Sequence, residues 1–423
     1  MTKIVVTGTG AVSPYGVGLE VLWKNLLQGD SGLRTLTSLD LSHVECHVGG
    51  QLQDFEPERY LPPRLIRRID RFTAFGLVAA QEALQRAALM RDGKAVWVDE
   101  SQRSTRVGVM VGTNLGGWEF AERELRNFWS KGSVRAVGPY MAMAWFPTAV
   151  QGNISIQFGI KGIGRTFLAD RAGGAHALIN AAECLQNGRA DLVLAGGAEA
   201  PFSPYAALCY QTSGLMAEAT SDDVHTAYRP FDRDHHGLVA AEGAAFLVLE
   251  RVEDAQRRGA PILAEVAGWG TTQDGFHHIH ASPDGKRFAD AIKLAMQRAS
   301  ITAEELDCVF PSASAVPDED DSEVRALQLA LGEYAAQVPI GIPKSTFGHL
   351  FGAAFPMDVA IALLSMQEGI IPGGLHFDHA PQEYELDIVA PSARSLPRVD
   401  TCLLNARGIG GTNAALVLRR WQD

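Results

Sequence analysis

The 423-residue sequence predicts an α/β fold. Short apolar runs rich in β-forming residues alternate with segments of helical periodicity, and this alternation is typical of stacked α/β layers. Hydrophobic residues make up 46% of the chain and charged residues 20%, which favours a globular protein over a disordered one. The alternating segments are residues 4–7, 19–27, 107–111, 175–185, 191–194 and 244–249, then 264–267, 289–299, 309–310, 350–368, 403–404 and 414–418.

A basic, turn-rich stretch at residues 251–261 interrupts this alternation, which then resumes. We therefore predict two halves of similar build, residues 1–255 and 256–423. Their sequences do not visibly repeat, so the duplication is inferred only from the pattern of elements. The sequence has no low-complexity segment and no long linker, so we expect the halves to share one core.

Composition argues against several classes of protein. The formal net charge of −12 disfavours a nucleic-acid partner and, without a local basic patch, an acidic protein partner. The five cysteines include no CxxC pair, so a disulfide framework or zinc site is not expected. We find neither a signal peptide nor an apolar run of the ~20 residues that span a bilayer, and expect a cytoplasmic protein that does not enter the membrane.

Two motifs resemble cofactor or metal sites, but each lacks part of the pattern that such a site requires. Residues 8–13 (GTGAVS) resemble a dinucleotide fingerprint, but Ser13 replaces the third glycine and Pro14 follows, so we predict a tight strand-to-loop turn. Residues 276–280 (FHHIH) resemble a metal cluster, but no second group of ligands stands at a recognisable spacing. We therefore predict no metal and no cofactor.

Two glycine-rich segments are better candidates for chemistry. Residues 344–354 (KSTFGHLFGAA) place Lys344 and His349 in a turn that opens a long apolar helix. The helix dipole would keep His349 neutral, able to donate a hydrogen bond to developing negative charge; the alternative is a packing turn. In residues 408–413 (GIGGTN), the glycines around Ile409 and Gly410 allow the close backbone approach of an oxyanion-binding amide.

In this order and separation, the two segments resemble the β-ketoacyl-acyl-carrier-protein synthases of the thiolase fold. This resemblance implies a five-layered α/β/α/β/α architecture, dimerisation, and a decarboxylative Claisen condensation that uses a cysteine, two histidines and a lysine. Further matching stretches are residues 8–14 (GTGAVSP), 152–156 (GNISI), 195–199 (AGGAE), 229–232 (RPFD) and 242–244 (EGA).

The resemblance also implies that two of the family's catalytic residues are replaced in this chain. The family's Cys-Ala-x-Gly-x-His-Ala stretch corresponds to residues 171–177 (RAGGAHA), where Arg171 replaces the nucleophile. A guanidinium stays protonated and has no free lone pair with which to attack a thioester. Ser312 replaces the first histidine in residues 311–317 (PSASAVP), whereas Lys344 and His349 persist. We expect no catalysis by this chain alone.

Two interpretations of Arg171 remain open at this point. It either plugs the vestigial pocket by pairing with Asp170 or Glu323, or contacts an anionic group of a partner. Some partner is required because an unpaired buried guanidinium is costly.

Residues 116–132 (GGWEFAERELRNFWSKG), 138–147 (GPYMAMAWFP) and 172–174 (AGG) resemble the chain-length factor, or ketosynthase β subunit, of type II polyketide synthases. The family's tunnel gate falls on Trp118 and Leu125, which are seven residues apart on one helical face; ordinary amphipathic packing is the alternative. Arg171 and the retained His349 depart from the subfamily, in which glutamine commonly replaces the cysteine.

The resemblance therefore implies a non-catalytic subunit that forms a heterodimer with an active ketosynthase. The poly-β-keto chain would lie in a tunnel at the interface, and the acyl carrier protein would bind mainly through the partner. The alternatives are an unusual β-ketoacyl synthase or malonyl-carrier decarboxylase, and a purely architectural partner.

Overall fold

A computed structural model describes residues 2–37, 41, 44–97 and 104–422. The strands of the main sheet are β1 (Ile4–Ser13), β2 (Val107–Gly112), β3 (Gly164–Phe167), β4 (Leu192–Glu199), β5 (Gly243–Arg251), β6 (Ala264–Gln273), β7 (Cys308–Phe310), β8 (Pro339–Gly341), β9 (Asp387–Val389), β10 (Thr401–Gly408) and β11 (Thr412–Arg420). Two-residue strands, left unnumbered, are Gly16–Val17, Arg34–Thr35, Val48–Gly49, Met90–Arg91, Lys94–Ala95, Ile370–Ile371 and Arg394–Ser395.

The α-helices are α1 (Leu19–Gln28), α2 (Pro63–Ile66), α3 (Arg71–Arg86), α4 (Trp118–Lys131), α5 (Met141–Trp145), α6 (Ala149–Phe158), α7 (Gly173–Gln186), α8 (Pro204–Thr212), α9 (Val252–Arg257), α10 (Lys286–Ala299), α11 (Pro317–Leu331) and α12 (Ala354–Glu368). Short 3-10 helices are Pro57–Arg59, Ser104–Arg106, Val134–Ala136, Ser221–Asp223, Ala303–Glu305, Gly332–Ala336, Pro343–Thr346, Phe351–Ala353 and Gln382–Tyr384. No helix in the described ranges is both long and apolar enough to cross a bilayer.

The strands of the two parts of the chain follow the same order. Neighbours run β1-β5-β4-β2-β3 in the first part and β6-β11-β10-β7-β8 in the second, where β9 is added at the edge. In each part the first two pairings are antiparallel and the next two are parallel. This repeated topology confirms the predicted two similar halves, while the division at residue 255 stays a prediction.

Helices α7 and α12 form the central layer between the two parts of the sheet. Both are almost completely buried, and their side chains share one hydrophobic core with residues of β4, β5, β10 and β11. Helix α3 packs outside β1 and β5, and α10 packs outside β6 and β11. This is the five-layered α/β/α/β/α arrangement that the resemblance implies.

The predicted strand-to-loop turn at residues 8–13 is wrong. Strand β1 continues through these residues to Ser13, and its glycines allow α3 to lie close against the strand. A Cβ atom at Gly8 would lie 2.3 Å from the carbonyl oxygen of Ala83, and one at Gly10 would lie 2.4 Å from that of Ala79. The glycines therefore serve helix-on-strand packing rather than a turn.

Candidate functional site

Arg171, which we predict to stand in place of the family's nucleophile, lies two residues before α7, and its side chain is 2% exposed. Its guanidinium donates two hydrogen bonds to the carboxylate of Glu319, at 2.6 and 2.7 Å, and a third through Nε to Asp170 at 2.9 Å. Burial opposes the charge, but the two carboxylates more than offset it and hold the pKa of Arg171 above its usual value. Each of the three guanidinium nitrogens is thus hydrogen-bonded within this chain.

The structure corrects one of the two partners predicted for Arg171. Asp170 contacts it, but Glu323 does not; instead, Glu323 accepts hydrogen bonds from the backbone N–H groups of Ser312 and Ala313, at 2.9 and 3.1 Å. Burial raises the pKa of Glu323 to about 7. Glu319 and Glu323 are one turn apart on α11, so sequence spacing alone could not distinguish them.

The turn after β10 has the shape that the sequence predicts, but the backbone amide of Ile409 is not free. Gly410 and Gly411 have φ values of 81° and 79°, as the glycine-rich motif predicts. The Ile409 N–H donates to Asp170 Oδ2 at 2.9 Å, the same oxygen that accepts from Arg171. The backbone donor that could bind an oxyanion is therefore occupied by a carboxylate of the chain itself.

Ser312 is buried, and its hydroxyl oxygen accepts a hydrogen bond from the Arg407 N–H at 3.2 Å. Lys344 donates to the carbonyl oxygens of Pro311 and Ser312, at 2.8 and 2.9 Å, and pairs with Asp358 at 2.7 Å. Lys344 thus holds the loop in which we predict that Ser312 replaces a histidine, and the charge of the lysine is balanced by Asp358.

His349 is 1% exposed. Its Nδ1 accepts a hydrogen bond from the Phe351 N–H at 3.0 Å, which places the proton on Nε2. Burial lowers the pKa of His349 well below its usual value, and the positive charges of Lys344 and Arg171 add to this effect. The contribution of the helix dipole stays a prediction; the 3-10 helix Phe351–Ala353, which leads directly into α12, begins two residues after His349.

An aromatic stack lies beside His349. The Tyr210 ring stacks on Phe351 with centroids 4.4 Å apart, and Phe351 meets the imidazole edge-on at 5.8 Å. Sequence reasoning missed Tyr210 as well as Glu319 and Asp358. The acidic run in residues 318–321 was the available signal for Glu319, whereas no local pattern indicated the stacked rings.

The two candidate gate residues lie on α4, in different surroundings. Trp118 is half-buried between Trp145, whose ring centroid is 5.9 Å away, and Tyr205, at 4.6 Å. Leu125 is 38% exposed. A cleft of about 780 Å³ opens on another face of α4 and is lined by charged side chains that include Arg71, Glu119, Glu122, Arg123 and Arg126.

Within the part of the chain that the structure describes, we find no group of three or more His, Cys, Asp or Glu side chains arranged to hold a metal ion. In the histidine-rich loop, Nδ1 of His277 accepts hydrogen bonds from the backbone N–H groups of Ile279 and His280, at 3.1 and 3.0 Å. Nδ1 of His280 lies 3.1 Å from a carboxylate oxygen of Asp318.

Comparisons with known proteins identify the family of this chain. The models "Beta-ketoacyl synthase, N-terminal domain" and "Beta-ketoacyl synthase, C-terminal domain" match residues 1–255 and 263–378. The chain is 41% identical to a putative polyketide beta-ketoacyl synthase 2 of Streptomyces coelicolor, over 99% of this chain and 95% of that protein. It is 37% identical to the tetracenomycin polyketide synthase ketoacyl synthase beta subunit of Streptomyces glaucescens, over 99% and 98%.

Solved structures show the same fold over the whole chain. A beta-ketoacyl synthase from Burkholderia phymatum matches with a TM-score of 0.89 and 27% identity, with 100% of both chains covered. The ishigamide ketosynthase/chain length factor matches with a TM-score of 0.88 and 26% identity, also over 100% of both chains. The chain belongs to the β-ketoacyl synthase family and, within it, groups with the β subunits, or chain-length factors, of polyketide synthases.

Proposed function

We propose that this chain is the non-catalytic chain-length factor of a type II polyketide synthase. The observation that carries the proposal is the bidentate pair between Arg171 and Glu319 at the nucleophile position. A cationic side chain held by two carboxylates cannot form an acyl-enzyme. With Ile409 also bonded to Asp170, neither the nucleophile nor that oxyanion amide is available.

An active ketosynthase is the proposed partner. Strand β3 lies at the edge of the sheet, and its outer backbone edge can pair with another chain. Exposed apolar side chains lie on α4, α5, α6 and α8, directly after α5 and β3, and in the 3-10 helix Val134–Ala136, which supports a large apolar interface. They are Leu125, Trp129, Val134, Met143, Phe146, Ile156, Leu168, Tyr205 and Leu208.

Related structures support this assembly. One is the ishigamide ketosynthase/chain length factor, and another is a type II polyketide synthase acyl-carrier protein in complex with its ketosynthase bound to a hexaketide. By analogy, the poly-β-keto chain would grow from the partner's cysteine into a tunnel at the interface. Trp118 and Leu125 would end the tunnel, and the acyl carrier protein would bind mainly to the partner. We infer a cytoplasmic location, which the five free cysteines support.

The alternative functions receive less support. A synthase or decarboxylase would need the hydrogen-bond donors of two imidazoles for the enolate, and we predict that Ser312 stands in place of one of them. A purely architectural subunit would leave product length unaffected by changes on α4.

The test is co-expression of variants with the ketosynthase partner. Trp118→Ala and Leu125→Ala should lengthen the polyketide by at least one ketide unit, as measured by mass spectrometry of the products. Leu329→Ala is the matched control, because Leu329 is a 47% exposed leucine on α11, away from the gate helix. Unchanged product length in an intact heterodimer would favour the architectural alternative.

A further inference from the structure

A cavity of about 170 Å³ lies between β1, α1 and α12, and it shares no lining residue with the candidate site described above. Most of its wall is formed by leucine side chains, and its other lining residues are Thr9, Arg86 and Gln367. The leucines are Leu19, Leu263, Leu363 and Leu364. An apolar protein cavity of about 150 Å³ can hold benzene, so this cavity has room for a molecule slightly larger than benzene.

The Thr9 hydroxyl adds a polar group to this apolar wall. Thr9 is 2% exposed, and among the residues that the structure describes its hydroxyl oxygen has no hydrogen-bond partner. A Cβ atom at Gly8 or Gly10 would point toward α3, so the alternation of side chains along β1 places Thr9 on the opposite face. A buried hydroxyl without a partner costs free energy, because it gives up its hydrogen bonds with water on folding. A ligand that carries its own hydroxyl group would supply the missing hydrogen bond.

Arg86 contributes a positive charge beside the cavity, but this charge is already balanced. Its Nε donates to Glu82 at 3.0 Å, and its Nη2 lies 3.5 Å from a carboxylate oxygen of Glu20. Gln367 contributes only an uncharged amide. An anionic ligand would be repelled by the two carboxylates that neutralise Arg86, so the surroundings favour a neutral molecule.

We propose that this cavity binds a small neutral molecule with one hydroxyl group and a hydrocarbon body no larger than a six-membered ring. The hydroxyl group hydrogen-bonds with Thr9 Oγ1, and the hydrocarbon part packs against the leucines. The proposal does not depend on the proposed function, because β5, β4 and β2 separate β1 from the edge strand β3. By mass action, such a ligand stabilises the folded chain.

Isothermal titration calorimetry of the whole chain with phenol and with toluene tests the proposal. The two probes have nearly the same size and shape, but only phenol has a hydroxyl group. We expect phenol to bind at one site per chain. Thr9→Val keeps the branched shape of the side chain and removes its hydroxyl. The affinity for phenol relative to that for toluene should therefore fall about fivefold in this variant, the effect of one hydrogen bond.

Matched controls separate the cavity from general effects of substitution. Thr73, on α3, is 0% exposed and its hydroxyl also has no partner in the described part of the chain, but it does not line the cavity. Thr73→Val should leave both affinities unchanged. Leu364→Phe puts a larger side chain into the cavity and should abolish binding of both probes. Leu329→Phe, at a 47% exposed leucine on α11, should have no effect.

Three outcomes would overturn the proposal. If phenol gives no heat of binding with the unaltered chain, the cavity holds only water. Binding that persists in Leu364→Phe would mean that the probes bind elsewhere. An unchanged ratio of the two affinities in Thr9→Val would mean that the Thr9 hydroxyl does not contact the ligand. Melting temperatures show whether each variant is folded, and if Leu364→Phe is not, the Thr9→Val comparison decides alone.

Discussion

Arg171 and Glu319 face each other in a bidentate ion pair, and both side chains are 2% exposed. The pair joins the residues just before α7 to the first turn of α11, at the place where we predict that Arg171 replaces the family's cysteine. Two charges removed from water are tolerated because each satisfies the other. The effect of a substitution at one position on stability therefore depends on the residue at the other position.

Replacing Arg171 with glutamine should destabilise the chain by about 3–5 kcal/mol, because Glu319 is then left buried without a counter-charge. The double variant Arg171→Gln/Glu319→Gln removes both charges and should recover most of that loss. Scanning calorimetry of the purified proteins provides the measurement. Equal melting temperatures for the single and double variants would show that the pair is not coupled.

Restoring the cysteine should not restore chemistry. In Arg171→Cys, the Ile409 amide still donates to Asp170, and Glu319 loses its cation. We also predict that Ser312 stands in place of a catalytic histidine. A nearby carboxylate also disfavours the thiolate that attacks a thioester. Mass spectrometry after incubation with an acyl-carrier thioester should show no acyl-enzyme on this chain, while the ketosynthase partner is acylated in the same assay. Acylation of the variant at a rate close to the partner's would contradict this account.

The fold and the motifs around the candidate site could be predicted from the sequence, but the side-chain contacts within the site could not. Motif alignment identifies the positions of Arg171, Lys344 and His349 in the chain. The alternation of strands and helices follows from the period at which hydrophobic residues recur in the sequence. Glu319 could not be chosen over Glu323, because both lie on one face of α11 and only the three-dimensional packing separates them. Likewise, the role of Gly8 depends on α3, which begins more than sixty residues later in the chain.

Asp70 should make stability depend on pH. It accepts hydrogen bonds from the N–H groups of Phe72 and Phe120, at 3.1 and 2.8 Å, and so caps both α3 and the gate helix. Burial raises the pKa of Asp70 to about 7, and the neighbouring Glu119 adds to the shift, while Arg123 opposes it. The folded state then holds a proton that the unfolded state releases above its ordinary pKa of about 4.

Stability should consequently fall as pH rises from about 4 to 7, by up to about 1.4 kcal/mol per pH unit from this group, and level off above 7. Asp70→Asn loses one of the two acceptors, so it should be less stable at pH 5 and show a flatter dependence between pH 5 and pH 8. Melting temperatures across this range provide the measurement. A variant with the same slope as the natural chain would show that Asp70 does not titrate there.

Gly8→Ala should be strongly destabilising, because the added Cβ would lie 2.3 Å from the Ala83 carbonyl oxygen and 2.7 Å from the Ala87 nitrogen. Neither backbone atom can move without shifting α3 from the sheet, and overpacking of this kind costs about 1–3 kcal/mol or more. Gly152→Ala is the matched control. Gly152 lies inside α6, where a Cβ has no heavy atom within 4 Å, so alanine should stabilise that helix by up to about 1 kcal/mol. Calorimetry should therefore show that the two substitutions change the melting temperature in opposite directions. A Gly8→Ala protein as stable as the natural chain would mean that α3 does not pack this closely on β1.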